Sequence, residues 1–427
     1  MIGIQFRKSI PRYLALKAVG PRWRGIYTSA FFPIALRELP EPRLPAPDWV
    51  RVRPILSGIC GSDLAAICAK GSAYLSPLTS MPFVLGHEVV GRVMEVGADA
   101  DGVAVGDRVV VQPALGCRVR GIEPLCSACA ANQPALCRNV TRGTISAVIQ
   151  TGYCRDTGGA WSESLIAHDS QLYRVPDSMD DAVAVLTEPF ACALHAALRA
   201  RPRPEHTVLV IGCGSIGLLT IAALRAVHGR RDSKSSAEAV AQCPPRIVAL
   251  AKYPHQRKHA LALGADQVLA YSTNVKQRYR QLAEALNADV YHPEIGKPTV
   301  VGGADVTYDC VASATSIDDS CRFTAAGGDM VLVGMPGIPQ GIDWTTIWYK
   351  ELSLHAAYAY GLETVHGRSR STFEMALEIL ATAGPQLCPL VGAPFALKDY
   401  GLALDAALHA GRSRSVKTVF RIESGAL

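Results

Sequence analysis

The chain has 427 residues, of which 49% are hydrophobic and 19% charged. That composition excludes a disordered polymer, and the length exceeds one ordinary core, so two domains are expected. The formal net charge of +6 is mild and scattered, which argues against a nucleic-acid partner; the one basic run, residues 225–234, reads as a solvated loop.

No apolar run reaches the roughly 18–20 residues of a membrane span. The first twenty residues carry no long apolar block after their charges, so neither a cleaved signal peptide nor a membrane partner is expected, and the chain is expected in the cytoplasm. Thirteen cysteines, an odd number, argue against a disulfide framework, and four of them crowd into residues 117–137. Clustered cysteines in a reducing compartment point to metal.

From about residue 13 to 185 the chain reads as short β-runs broken by glycine and proline. Residues 49–52, Val89–Val96 and Arg108–Val111 are the clearest, and the texture is that of a β-barrel. Within this stretch lie Cys60 in G-I-C-G-S-D and His87-Glu88 in G-H-E-V-V-G, with Glu188 in T-E-P beyond it. Thiolate, imidazole and carboxylate are all zinc ligands, and a catalytic zinc keeps one position open for water or substrate. A second group is Cys126-x-x-Cys129-x7-Cys137, with Cys117 nine residues before it.

Beyond residue 207 apolar strands alternate with helical stretches. Strands are expected at 208–211, 247–250, 267–269, 306–308 and 330–333, with helices at 216–227 and 255–263. That alternation predicts a doubly wound parallel sheet. Residues 229–245 and 291–303 read as surface loops. A helix at 371–383 and a strand at 415–420 follow. Residues 330–333 suit either an interior strand or an interface edge.

The strand at 208–211 runs into Gly212-Cys213-Gly214-Ser215-Ile216-Gly217 and then a helix. In such a G-x-G-x-x-G turn the first glycine makes the tight turn and the second lets the backbone approach a pyrophosphate. The third lets helix and strand pack closely, and the helix N-terminus favours the anion. The next strand ends without an acid, and Lys252 stands where a ribose-binding carboxylate is usual. A cation there suits a 2′-phosphate, so NADP is favoured over NAD; a merely exposed lysine is the alternative. Arg257 joins the expected cofactor contacts.

The spacing of C-G-S-D, G-H-E-x-x-G, G-D-R-V, E-P and G-x-G-x-x-G resembles the zinc-dependent medium-chain dehydrogenase/reductase superfamily of the alcohol dehydrogenases. Within it the chain looks most like the threonine, sorbitol and glucose dehydrogenase branch, where Glu follows the ligand His. The resemblance covers residues 13 to 420. It implies a GroES-like catalytic domain over 1–190, a Rossmann domain over 191–350 and a return to the first domain over 351–427. It makes Cys60 and His87 ligands of a catalytic zinc, with Glu88 and Glu188 completing the coordination; Glu188 could instead orient a water. It makes the cysteine cluster a structural zinc lobe, with or without its metal. Its usual first cysteine would fall at Glu123, and Cys117 is the favoured replacement, since closed zinc sites prefer thiolates.

The implied reaction is zinc-assisted hydride transfer between NAD(P) and an alcohol, aldehyde, sugar or polyol. Homodimers or homotetramers are usual in the superfamily. Ser62 matches a hydroxyl that touches the substrate oxygen and starts a proton relay, or is a turn hydroxyl. The histidine that ends the relay in many relatives is absent, since Leu64-Ala65-Ala66 follows. Lys417 matches a basic residue that reaches the cofactor pyrophosphate, or is a surface lysine. Asp63 organises the loop. Trp161, Trp344 and Trp348 line either a substrate cleft or an interface, and His195 is a core histidine. The competing readings are a zinc-free quinone or enoyl reductase and a non-catalytic NADPH-binding protein.

Overall fold

Period-two patterning dominates the first part of the chain and period 3.6 alternates with strands in the middle, and the structure divides accordingly. The computed structural model describes residues 1–20, 33–229, 244–365 and 367–422. The first half of the basic run at 225–234 is not a solvated loop, because residues 225–228 close the helix Ser215–His228 with Arg225 buried and ion-paired to Asp266; its second half and most of residues 229–245 lie outside the described residues. The chain forms two units, Met1–Glu188 with Tyr360–Leu427, and Pro189–Ala359.

The first unit is built on a seven-stranded sheet around the strand Trp49–Gly58. Val89–Val96 pairs antiparallel with one edge of that strand. Leu165–His168 and Val419–Arg421 share its other edge, against residues 49–52 and 56–58. Alternate residues turn inward: Val50, Val52, Val89, Val93, Val109, Val111 and Leu165 form one buried cluster. Each such side chain contributes about 1.5–3 kcal/mol by leaving water. Val419–Arg421 carries the end of the chain back to the strand that leads into Cys60. The strand expected at 415–420 is therefore shorter, and Lys417 enters by a single parallel bridge to Val391.

Several elements of this unit depart from the sequence reading. Residues 10–19 form a helix, Ile10–Val19, with Ser9 accepting the Arg12 amide hydrogen. Trp161 lines neither cleft nor interface. It is fully buried against Phe420, and its indole N–H donates to the Gly58 carbonyl at 3.1 Å.

The second unit holds a six-stranded parallel sheet. Its spatial order is Gln267–Ala270, Arg246–Ala251, Thr207–Ile211, Ala304–Asp309, Thr324–Leu332, Ser353–Ala356. The order reverses beside Thr207–Ile211, and in such sheets ligands bind at the carboxyl ends of the strands there. Ser353–Ala356 is the sixth strand, which carries this unit on to Ala359. Residues 330–332 lie in an interior strand, with Met330 and Val331 buried. Trp344 and Trp348 are exposed. Residues 291–303 are not simply a loop: Asp289–Tyr291 and Thr299–Val301 pair as a hairpin, pinned by buried Val300 in the cluster under the helix Val275–Leu286. His195 is half-buried on the helix Thr187–Arg199. No helix among the described residues is long and apolar enough to cross a membrane.

Candidate functional site

Three sequence features set the geometry around Cys60. The strand Trp49–Gly58 delivers Cys60 to the start of the short helix Gly61–Ile67. His87 and Glu88 stand just before Val89–Val96, which pairs with that strand. The two motifs, far apart in sequence, thus meet at one end of the sheet. The ligand atoms of Cys60, His87 and Glu88 lie within 4.8 Å of one another. His87 and Glu88 are buried and Cys60 is half-buried.

The cluster is held from behind by groups that sequence reasoning underrated. Asp63 is fully buried; its Oδ2 accepts the Cys60 amide hydrogen at 2.9 Å and its Oδ1 lies 3.4 Å from His87 Nδ1. A carboxylate behind an imidazole fixes the ring's orientation and tautomer for a metal on the other nitrogen. Burial alone would lower the pKa of His87; the charge and hydrogen bonding of Asp63, with Cys60 beside it, overcome that and hold it well above the ordinary value. Lys417 is no surface lysine. It is buried, ion-paired to Glu88, and donates to the Ile59 carbonyl at 3.2 Å. Burial works against its charge, and Glu88 more than compensates.

Glu188, at the start of Thr187–Arg199, is buried, and its charge also supports Lys417. Its carboxylate is outside the group of ligand atoms that meet within 4.8 Å. Ser62 is half-buried beside Asp63. Tyr153, which the sequence did not single out, lies over the His87 ring at 6.0 Å, and its hydroxyl donates to Asp63 Oδ1 at 3.4 Å. Burial, then the Asp63 charge, raise its pKa well above the usual value, so the phenol stays a donor. A half-buried thiol beside a buried imidazole and carboxylate, backed by a further carboxylate, fits a zinc ion.

The second cluster is more regular in space than in sequence. The sulfurs of Cys117, Cys126, Cys129 and Cys137 lie within 4.8 Å of one another, and none of these cysteines is disulfide-bonded. Cys117 fills the fourth corner, not Glu123. Amide hydrogens point at the sulfurs: Cys117 to Cys129 Sγ at 3.3 Å, Cys126 to Cys117 Sγ at 3.5 Å, Arg138 to Cys126 Sγ at 3.4 Å, Asn139 to Cys137 Sγ at 3.3 Å. The Asn139 side-chain amide adds a fifth, to Cys117 Sγ at 3.3 Å. Burial opposes ionisation throughout the cluster; amides and neighbouring thiols bring Cys126 down to about 6, while burial keeps Cys129 and Cys137 above the ordinary thiol value. Four sulfurs in a cradle of donors fit a closed, four-coordinate zinc. Buried Arg120 holds the lobe's backbone, donating to the carbonyls of Leu115, Arg142 and Val148 among others.

In the second unit the glycine turn has the anticipated shape. Gly212 has φ +93°, which side-chain-bearing residues avoid, and a Cβ on Gly217 would stand 1.8 Å from the Gly212 carbonyl oxygen. Open space surrounds Gly214, and Ser215, Ile216 and Gly217 begin the helix Ser215–His228. Lys252 is exposed just past Arg246–Ala251, two residues after the Leu250 carbonyl that accepts from the Gly212 amide. Its ammonium lies 5.5 Å from the Tyr253 ring centre. Arg257 is half-buried on the following helix, Pro254–Ala262.

Comparison with known proteins agrees with this geometry. Residues 46–177 match the family model of the alcohol dehydrogenase GroES-like domain, and residues 237–382 match that of the zinc-binding dehydrogenases. The chain is 27% identical over 400 residues to L-idonate 5-dehydrogenase of Vitis vinifera, covering 93% of each chain. It is 26% identical to sorbitol dehydrogenase of Bacillus subtilis, covering 87% of this chain and 91% of the other. Among solved structures, galactitol-1-phosphate dehydrogenase from Escherichia coli shares the fold with a TM-score of 0.67 at 20% identity, covering 99% and 100% of the two chains. By its GroES-like and Rossmann architecture, its ligand motifs and these full-length matches, the chain belongs to the zinc-dependent medium-chain dehydrogenase/reductase family.

Proposed function

We propose that the protein is a zinc- and nicotinamide-dependent dehydrogenase that oxidises a polyol, sugar or related alcohol, or reduces the corresponding carbonyl. The observation that carries this reading is the Cys60–His87–Glu88 cluster with buried Asp63 behind it. A zinc-free quinone or enoyl reductase has no use for such a set. The names of the relatives, idonate and sorbitol dehydrogenases among them, support a polyhydroxy substrate.

Cys60 and His87, with Glu88 and Glu188 as carboxylate ligands or orienters, would hold a zinc ion that would supply Lewis-acid polarisation of the substrate oxygen, and a bound nicotinamide would supply the hydride chemistry. The chain's residues do the rest. Asp63 holds the His87 ring in place. Lys417 balances the buried Glu88 carboxylate and restrains its direction. Ser62 presents a hydroxyl to the reacting oxygen and can pass on its proton. Gly212, Gly214 and the amides of Ser215, Ile216 and Gly217 cradle the pyrophosphate.

We favour NADP, because a cation, Lys252, occupies the place of the ribose-binding acid, with Arg257 on the next helix. A panel of polyols, sugars and simple alcohols, screened with both cofactors, tests the reading. The expected result is turnover with a kcat/KM preference for NADP that Lys252→Ala reduces. A strong NAD preference unchanged by Lys252→Ala would overturn the NADP assignment, and no turnover on any substrate would overturn the enzymatic one.

A further inference from the structure

Beside the cysteine lobe the first unit holds a cavity of about 90 Å³, none of whose lining residues belongs to the Cys60 cluster. Gln112, Gly116, Cys117, Cys129, Tyr173 and Ser371 are among its walls. An ordered water needs roughly 10–15 Å³ of such space, so the cavity has room for about six atoms of that size.

Some of the polar groups around it are fully engaged. Gln171 Oε1 accepts the His168 amide hydrogen at 3.0 Å, and its Nε2 donates to the carbonyls of Gln112 and Ala114 at 2.9 and 3.3 Å. The Tyr173 and Ser371 hydroxyls bond each other at 3.2 Å. These bonds fix the walls before any ligand arrives, which lowers the cost of binding.

Three other side chains on the cavity are not engaged. Among the described residues, Gln112, Arg118 and Asn132 have no side-chain hydrogen-bond or ion-pair partner. Gln112 is the telling one, because it is only 6% exposed. Val109 and Val111 turn into the barrel core, so the alternation sends Gln112 to the opposite face. A buried carboxamide is costly without partners, and this one lines the cavity. Arg118 and Asn132 are exposed and add a guanidinium and a second carboxamide. No Asp or Glu lines the cavity. Asp169, next to Ser170 of the lining, is paired with His168 at 2.8 Å, and Glu374 is exposed to water. A guanidinium with no acid of its own suits a carboxylate, which it can grip with two parallel hydrogen bonds. A carboxamide both donates and accepts, as a ligand hydroxyl requires.

We propose that this cavity is a binding site for a short hydroxycarboxylate, of the size of lactate or glycerate. Arg118 takes the carboxylate, and the Gln112 and Asn132 amides take the hydroxyl. The site is separate from the Cys60 cluster and stands whether or not the dehydrogenase reading does.

The test is calorimetric titration of the full, zinc-replete chain with lactate, glycerate, acetate and glycerol. Wild type is compared with Gln112→Leu, which keeps most of the volume, and Arg118→Ala, which removes an exposed cation. Wild-type Tm and retention of the cysteine-bound zinc report that each variant has folded; should Gln112→Leu fail this check, Arg118→Ala decides alone. The expected result is binding of lactate or glycerate with Kd on the order of millimolar. Arg118→Ala should weaken it about tenfold and Gln112→Leu about fivefold. Acetate lacks the hydroxyl and glycerol lacks the charge, so each should bind at least about fivefold more weakly than glycerate. No binding of either hydroxy acid up to about 50 mM overturns the proposal. Binding that neither substitution weakens belongs to another site, such as the catalytic zinc, and overturns it too. Glycerol binding as tightly as glycerate overturns the anionic class.

Discussion

Lys417→Met isolates the buried ion pair on which the catalytic cluster leans. The two side chains of the pair, Lys417 and Glu88, are 2% and 1% exposed. Methionine keeps most of the volume and removes the charge, so Glu88 is left as a buried carboxylate without its ammonium. Breaking a buried pair from one side costs about 3–5 kcal/mol. At about 2–4 °C per kcal/mol for a large domain, that is a fall of roughly 6–20 °C in Tm. Glu88→Gln strands the lysine instead and should cost a similar amount. Removing both charges leaves nothing stranded, so the double variant should recover most of the loss. The pH dependence follows from the raised pKa of Lys417. A base whose folded pKa is raised gives its full stabilisation below the unfolded value and loses it only as pH rises past the folded one. The cost of Lys417→Met should therefore be flat from about pH 6 to 9, below the ordinary lysine pKa. Thermal unfolding of metal-replete full chain over that range reads all of this. A double variant as unstable as either single, or a cost that collapses within the range, would refute the argument.

Three further outcomes follow from other sites. Cys117→Ser should cut bound zinc from about two per chain to about one, whereas Glu123→Gln should leave both, by metal analysis after dialysis; equal retention in the two variants would return the fourth ligand to doubt. Gly217→Ala drives a Cβ to 1.8 Å from the Gly212 carbonyl, so calorimetry should show dinucleotide binding weakened about tenfold or more, a shift of at least ~1.4 kcal/mol; native affinity would mean the turn does not hold the cofactor. Buried Lys350 donates to the carbonyls of Arg322 at 2.6 Å and Thr324 at 2.8 Å, and burial first, then Arg322, lower its pKa to about 8. Between about 8 and its unfolded value the unfolded chain binds more protons, so stability gains a rising component with pH there. Urea titrations of wild type and Lys350→Met should differ in that slope, and parallel curves would remove Lys350 from the account.

Much of this was legible in the sequence because the chemistry needs contiguous motifs. The glycine turn, its strand and its helix declare themselves locally, since turn, close packing and anion cradle all come from six residues. Cys60 and His87 were legible for the same reason. What was hidden is what depends on distant segments meeting. Asp63 reads as a loop organiser until the fold puts His87 beside it. Lys417 reads as a surface or cofactor residue until the strand Val419–Arg421 pairs with Trp49–Gly58 and buries it on Glu88. Tyr153 sits in an irregular stretch with no motif at all, and only the fold brings its hydroxyl to Asp63. Cys117 was recoverable from thiolate preference, because a cysteine nine residues upstream can close a tetrahedron if the intervening chain folds back. The hairpin of Asp289–Tyr291 and Thr299–Val301 was masked by the two prolines and the glycines of residues 291–303, and buried Val300 carries its apolar anchor.

The most direct test of the central claim is zinc dependence of hydride transfer in the full chain. Catalytic-site zinc is stripped with a chelator under conditions that metal analysis shows to spare the cysteine site, and oxidation of the best alcohol is followed by the appearance of reduced nicotinamide. The Cys60–His87–Glu88 cluster predicts that turnover disappears with that zinc and returns on adding about one equivalent. Undiminished turnover by protein verified to lack it would contradict a zinc-dependent mechanism and point to the zinc-free reductase reading.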